Sequence, residues 1–178
     1  MSDTLHEIDP AVAGLSIDEV AKRYTAHFID RTPDWDAFAD ARIEGFKRAQ
    51  HRFIGAGGSG KHGDVNAIPP KGFTLSIMYV PPGQGNAAHT HEVEEVFFVL
   101  QGQLIAFFED GKGKRLDMSL GKWDCVSCPA GVIHGYENRG LEPVYFQVML
   151  GRATPELMGY TDPELLSQRD VHLREPQG

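Results

Sequence analysis

The chain has 178 residues, 41% of them hydrophobic, which suits one packed domain with a terminal extension and excludes global disorder. A net charge of −8 and a pI near 5.4 describe a surface that repels phosphate backbones, so no nucleic-acid partner is expected. No apolar run approaches the roughly 18 residues of a membrane span. The opening MSDTLHEIDP lacks the basic and apolar regions of a secretory signal, so no membrane partner and a cytoplasmic location are expected.

In chain order, three units are expected: residues 1–70 as a helical extension and linker, 71–150 as an antiparallel β-barrel, and 151–178 as a helical tail. Ser16 followed three residues later by Glu19 forms a capping-box signature, and apolar groups follow at helical spacing. Thr32, Pro33 and the acids after them repeat the start signal, which predicts a second helix to about Gln50. Gly55, Gly60 and Lys61 match most of a phosphate-loop pattern. His62 stands where Ser or Thr would bind magnesium, and Pro69–Pro70 follows instead of a helix, so a linker or an active-site flap is the expectation.

From Phe73 the pattern changes to short strands: FTLSIMYV, EVFFVL, QLIAFF, RLDMSL, WDCVSC, VIHGYE and PVYFQVML. Gln101–Gly102 is a candidate hairpin turn. Many short strands at this spacing predict a mostly β, sandwich or barrel fold. Thr154–Pro155–Glu156 and Asp162–Pro163–Glu164 both resemble helix caps, so the stretch from Thr154 to Arg169 is expected to be helical. Cys125 and Cys128 form a lone C-x-x-C on a strand, on opposite faces, and read as two reduced packing cysteines.

The chemistry concentrates in HTHEVEEVFFVLQG, residues 89–102. In an extended chain His89, His91 and Glu95 share a face, while Glu92 and Glu94 fall out of phase. A turn at 92–94 would still let Glu95 return to the same place on the next strand. Two imidazoles and a carboxylate suit a divalent metal. Taken alone, an H-x-H is more often a pair of surface histidines.

The flanks add to this. GQGNAAHTHEVEEVFFVLQG resembles the first motif of the cupin family, G-x5-H-x-H-x3,4-E-x6-G, at Gly83, His89, His91, Glu95 and Gly102. PAGVIHGYEN resembles most of the second, G-x5-P-x-G-x2-H-x3-N, at Pro129, Gly131, His134 and Asn138. Trp123 stands where that motif opens with glycine, which puts the entering turn in question. The resemblance covers residues 83–138. It implies a single cupin-type jelly roll in which His89, His91, Glu95 and His134 bind one divalent metal ion.

Three neutral histidines, one carboxylate and a divalent ion leave about one net positive charge, which favours a small anionic ligand. A six-coordinate ion would keep two open positions. A structural tetrahedral zinc would keep none. The mixed donors favour Fe(II), with Mn(II), Ni(II) or Zn(II) as alternatives. Three functions follow: an iron dioxygenase for an enolic or phenolic substrate, a metal-dependent isomerase, epimerase or lyase of a sugar or keto acid, and a non-catalytic binding cupin. Phe97, Val99, Tyr136 and Gln147 are expected pocket residues, with Tyr136 also a candidate catalytic base for the second function. Glu137 should point outward. Mostly aromatic and apolar walls would suit a small aromatic or diketone better than a sugar. The strands EVFFVL and QLIAFF are apolar on both faces, which predicts a covered outer face and a homodimer.

Overall fold

The computed structural model describes residues 6–172; residues 1–5 and 173–178, the outer ends of the expected extension and tail, lie outside that range. Among the described residues the chain order is α1 (Ile17–Tyr24), β1 (Ala49–Ile54), β2 (Thr74–Val80), β3 (His89–Thr90), β4 (Glu95–Gln101), β5 (Leu104–Glu109), β6 (Arg115–Leu120), β7 (Cys125–Cys128), β8 (Ile133–Glu137), β9 (Val144–Leu150), β10 (Gly159–Tyr160) and α2 (Pro163–His172). They form two antiparallel five-stranded sheets, ordered β1-β2-β9-β4-β7 and β10-β3-β8-β5-β6. The fold is mostly β and of jelly-roll type, two facing sheets rather than one closed barrel.

Strand alternation decides which side chains meet between the sheets. On β2, Thr74, Ser76, Met78 and Val80 are buried while Leu75, Ile77 and Tyr79 lie on the other face. On β4 the inward set is Glu95, Phe97 and Val99. The Phe97 ring stands nearly perpendicular to Phe146 of its own sheet and to Tyr136 of the other, at 5.4 Å from each. Burying side chains of this size stabilises the fold by about 1.5–3 kcal/mol each.

Several sequence expectations require correction. Gln101–Gly102 does not close a hairpin, because β4 pairs with β7 and β9 whereas β5 pairs with β6 and β8. The chain crosses from one sheet to the other there, so the buried faces of β4 and β5 look at each other. Gly102 has φ +84°, and a Cβ on it would lie 2.8 Å from the Pro143 carbonyl.

The helix expected from Thr32 to Gln50 is replaced by a 3-10 turn at Ala39–Arg42 and the strand β1, so residues 49–54 of the expected extension belong to the sheet. Asp34 and Gln50 exchange backbone hydrogen bonds of 2.9 and 3.0 Å, and Ala37 to Ala41 are buried in one unbroken run rather than as a helical stripe. Tertiary pairing overrides the local start signal here. At the other end only Asp162 acts as a cap, its Oδ1 accepting from the Glu164 and Leu165 amides. The Thr154 signal starts no helix, and β10 lies between the two.

The Ser16 expectation holds, with both bonds of the capping box present on α1. The entering turn of the second motif also forms. Trp123 adopts φ +76°, the left-handed conformation a glycine would take at no steric cost, and its amide donates to Val99 O at 2.9 Å. Cys125 is exposed, Cys128 is buried, and both are free thiols. Burial pushes the Cys128 thiol well above its ordinary pKa.

Candidate metal centre

The four residues of the two motifs reach one place from different elements. β3 pairs with β8 so that His89 lies opposite His134. His91 follows β3 directly, anchored where the Gly131 amide donates to its carbonyl at 2.9 Å. Residues 92–93 bend, and Glu95 opens β4 in the other sheet. Of the two geometries open to the sequence, the turn is the one realised. Glu92 and Glu94 point away: Glu92 accepts from the Glu156 amide at 2.8 Å, and Glu94 accepts from Ser127.

His89, His91, Glu95 and His134 are 1, 3, 5 and 1% exposed, and one donor atom from each lies within 4.8 Å of all the others. Glu95 is the hub. Its Oε2 lies 2.8 Å from His134 Nε2 and 3.6 Å from His89 Nε2, and its Oε1 lies 3.5 Å from His91 Nε2.

The ring tautomers suit a cation. His89 Nδ1–H donates to Ala87 O at 2.9 Å and His134 Nδ1–H to Val132 O at 2.7 Å, each a carbonyl two residues back. That leaves both Nε2 lone pairs aimed at the Glu95 carboxylate, an arrangement that a shared cation satisfies. Electrostatics agree. Burial lowers the His91 pKa to about 4 against the opposing pull of Glu95, so this ring is neutral and ready to ligate. Burial alone would raise Glu95, but the three histidines together hold it well below the usual carboxylate range. Burial likewise opposes protonation of His134, and its bond to Glu95 outweighs this and raises its pKa. The cluster fits a divalent metal site.

The expected pocket residues separate. Tyr136 lines the small cavity beside the cluster. Phe97 and Val99 point inward but lie deeper in the apolar core, at 1 and 0% exposure, and do not line it. Gln147 sits on the outer face of β9, out of phase with Phe146 and Val148, and Val148 is the residue at the cavity. The expectation ran one residue out of register, which on a strand reverses the face. Tyr136 is an unsuitable base, since burial raises its phenol far above neutral despite the charge and hydrogen bond of Arg48, which lower it. Glu137 faces outward into an ion-pair cluster with Arg115 and Arg139.

The cavity measures about 20 Å³, room for one water-sized occupant, and its walls are more polar than expected. Arg48, Gln50, Ser76 and Asn86 line it opposite or beside the ligands. The sequence reading missed Arg48 and Gln50 because it placed them on a helix; Gln50 lies on β1 and Arg48 immediately before it, two residues apart along extended chain. Gly58 forms part of the roof, where a Cβ would come within 3.1 Å of His91 Cε1. The glycine-rich stretch therefore borders the site, which fits the flap expectation in position. A larger groove of about 680 Å³ lies elsewhere; in it Arg52 pairs with Asp34 and Asp64 and Lys61 with Asp34, while Arg31 donates to the Asn66 carbonyl and leaves its Nε without a partner.

Two facing antiparallel sheets that gather three histidines and a glutamate from two motifs define the cupin class. Residues 76–150 match the family model of the cupin domain, and the chain carries a cupin domain. A probable germin-like protein, subfamily 2 member 5, of Arabidopsis thaliana is 34% identical over 73 residues, which are 40% of this chain and 34% of that protein. The matched stretch thus spans about a third of that relative's length. Among solved structures, the polyketide cyclase RemF from Streptomyces resistomycificus superposes with a TM-score of 0.58 at 18% identity, over 85% of this chain and 93% of RemF. A cupin-superfamily sugar phosphate isomerase from Silicibacter pomeroyi gives 0.52 at 20% identity, over 72% of this chain and 75% of its own. These likenesses speak for the fold. Among the described residues no helix is long and apolar enough to cross a membrane.

Proposed function

We propose that this protein is a metal-dependent enzyme acting on a small anionic or enolisable metabolite, with one divalent ion held by His89, His91, Glu95 and His134. One observation carries the reading: four buried donor atoms within 4.8 Å of one another, beside a cavity with polar walls. Iron(II) is the first choice on the mixed nitrogen and oxygen donors, and when bound it would supply dioxygenase chemistry to a chelated substrate. The chain's own contribution is to orient the ligands through Ala87 and Val132, to exclude bulk water, and to keep the Tyr136 hydroxyl neutral in the cavity wall.

The walls favour a second reading. Arg48, Gln50, Ser76 and Asn86 suit an oxygen-rich substrate such as a keto acid or sugar, on which the metal would serve as a Lewis acid in an isomerase or lyase. A binding cupin without catalysis would hold metal and ligand with no turnover.

Metal content by mass spectrometry, on protein purified without oxygen or a histidine tag, tests these readings. About one iron per chain, with oxygen uptake on catechols, diketones or 2-oxo acids, supports the dioxygenase. Zinc, nickel or manganese without iron supports the Lewis-acid enzyme. An absence of any bound metal sinks both.

A homodimer is part of the proposal. The outer face of the first sheet carries Ile77, Tyr79, Val96, Phe98 and Tyr145, and Phe28 and Trp35 cover only part of it. Sedimentation as a monomer at micromolar concentration would remove that element.

A further inference from the structure

Arg48 is among the largest fully buried side chains, 1% exposed, in a cavity wall it shares with His89, His91 and Glu95. Its Nη2 donates to Asp40 Oδ1 at 2.7 Å and its Nη1 to Phe46 O at 2.9 Å. Its Nε–H is buried and makes no hydrogen bond, with the Tyr136 hydroxyl oxygen the other polar atom beside the guanidinium. Asp40 also takes the Tyr160 hydroxyl at 3.0 Å on the same oxygen and the Ala87 amide at 2.9 Å on the other. The Phe38 ring lies 4.6 Å below the guanidinium and holds its plane.

Burying such a pair is a poor route to stability, since apolar residues of equal volume do as well or better. A buried guanidinium donor without a hydrogen bond is a further cost. The carboxylate that neutralises Arg48 engages it through Nη2 and leaves Nε without a hydrogen bond. What relieves the orphan is an acceptor arriving in the cavity, and a guanidinium edge matches a planar carboxylate.

We propose that Arg48 is the specificity-determining residue of the site, receiving the carboxylate of a short 2-oxo or 2-hydroxy acid whose second oxygen donor faces the metal. This rests on the metal-enzyme reading above and narrows its substrate class. Asp40 and Phe38 are positioning residues that hold the fork. The small cavity limits the ligand to few heavy atoms, and Met158, flexible and lining the same wall, is the side chain able to yield.

The test is calorimetric titration of the metal-loaded protein with pyruvate, lactate and methyl pyruvate, in wild type, Arg48→Lys and the double variant Asp40→Asn/Arg48→Met. Metal content is measured on each. Wild type is expected to bind the two acids roughly ten- to a hundredfold more tightly than the ester. The double variant should keep its metal and lose that preference, with Arg48→Lys, which retains the charge and a partner for Asp40, in between. An undiminished acid preference in both variants would overturn the role of Arg48 while leaving the metal enzyme standing. So would a wild type that holds metal but binds acid and ester alike. A wild type without metal is a different failure, that of the metal site itself, and takes this inference with it. If the double variant loses its metal through misfolding, Arg48→Lys alone decides: an acid preference equal to wild type overturns the proposal.

Discussion

The interior of this sandwich has two ends that follow the same strands and obey opposite rules. At one end, Phe97, Val99, Leu104, Val144 and Phe146 are 0 or 1% exposed within the apolar cluster, with Phe97 at its border, its ring 6.0 Å from that of His134. At the other, His89, His91, Glu95, His134 and Arg48 are buried nearly as deeply, with charges and lone pairs turned toward one another. Strand β4 runs from one to the other, with Glu95 in the polar end and Phe97 and Val99 in the apolar one, all on the same face. Alternation selects the inward residues but says nothing about which solvent they find there. The apolar end supplies the burial free energy, and the polar end consumes part of it to hold a preorganised cluster.

The sharpest way to break this division is to cut each end separately. Phe97→Ala should cost about 3–5 kcal/mol of stability, read by denaturant or thermal unfolding of metal-free protein, because its cavity lies among rings that cannot collapse. Its metal affinity, measured below the unfolding midpoint, should fall far less than in a ligand variant, since Phe97 packs against the His134 ring but supplies no donor atom. His91→Ala should do the reverse and lower metal affinity by at least about a hundredfold, through loss of one of four ligands, with a far smaller change in metal-free stability. Equal destabilisation by the two would erase the distinction, and unchanged metal stoichiometry in His91→Ala would refute the site as drawn.

Acidity offers a gentler probe of the polar end in metal-stripped protein. The His91 pKa in the fold, about 4, lies below its unfolded value of 6.5, so between these values the unfolded chain takes up a proton that the folded chain does not. Its contribution to stability is therefore intact above pH 6.5 and declines as pH falls toward 4. The slope of unfolding free energy against pH in this window should flatten in His91→Ala. No difference between the two proteins would show that His91 does not titrate as its burial dictates.

The smallest expected effect lies at the turn entering β7. Trp123 holds φ +76° while half its surface or more faces solvent, at 63% exposure. Trp123→Gly removes the left-handed strain but also the contact with Phe98, whose ring centroid is 6.1 Å away, and adds backbone freedom to the unfolded chain. A gain of up to about 1 kcal/mol is expected in chemical denaturation. A loss would mean that the indole stabilises the turn more than its conformation costs.

The sequence by itself determined the strands after residue 73 and the shared face of His89 and His91, through period-2 alternation, whereas Glu95 was open to two geometries and His134 was legible only through the resemblance to the second motif. It also carried the capping box at Ser16 and the separation of Cys125 from Cys128. What only the tertiary structure decided is how distant segments share backbone bonds and volume. β1 is a strand because β2 pairs with it, against a helix start signal at Thr32, and that pairing delivers Arg48 and Gln50 to the cavity wall. β4 and β5 part at Gly102 because each finds partners elsewhere in the chain, and Gln147 faces outward because its register on β2 and β4 puts Val148 inside. Ligand identity was a matter of spacing, which a sequence records. The composition of the wall was a matter of long-range pairing, which a sequence records only in the sum of all its contacts.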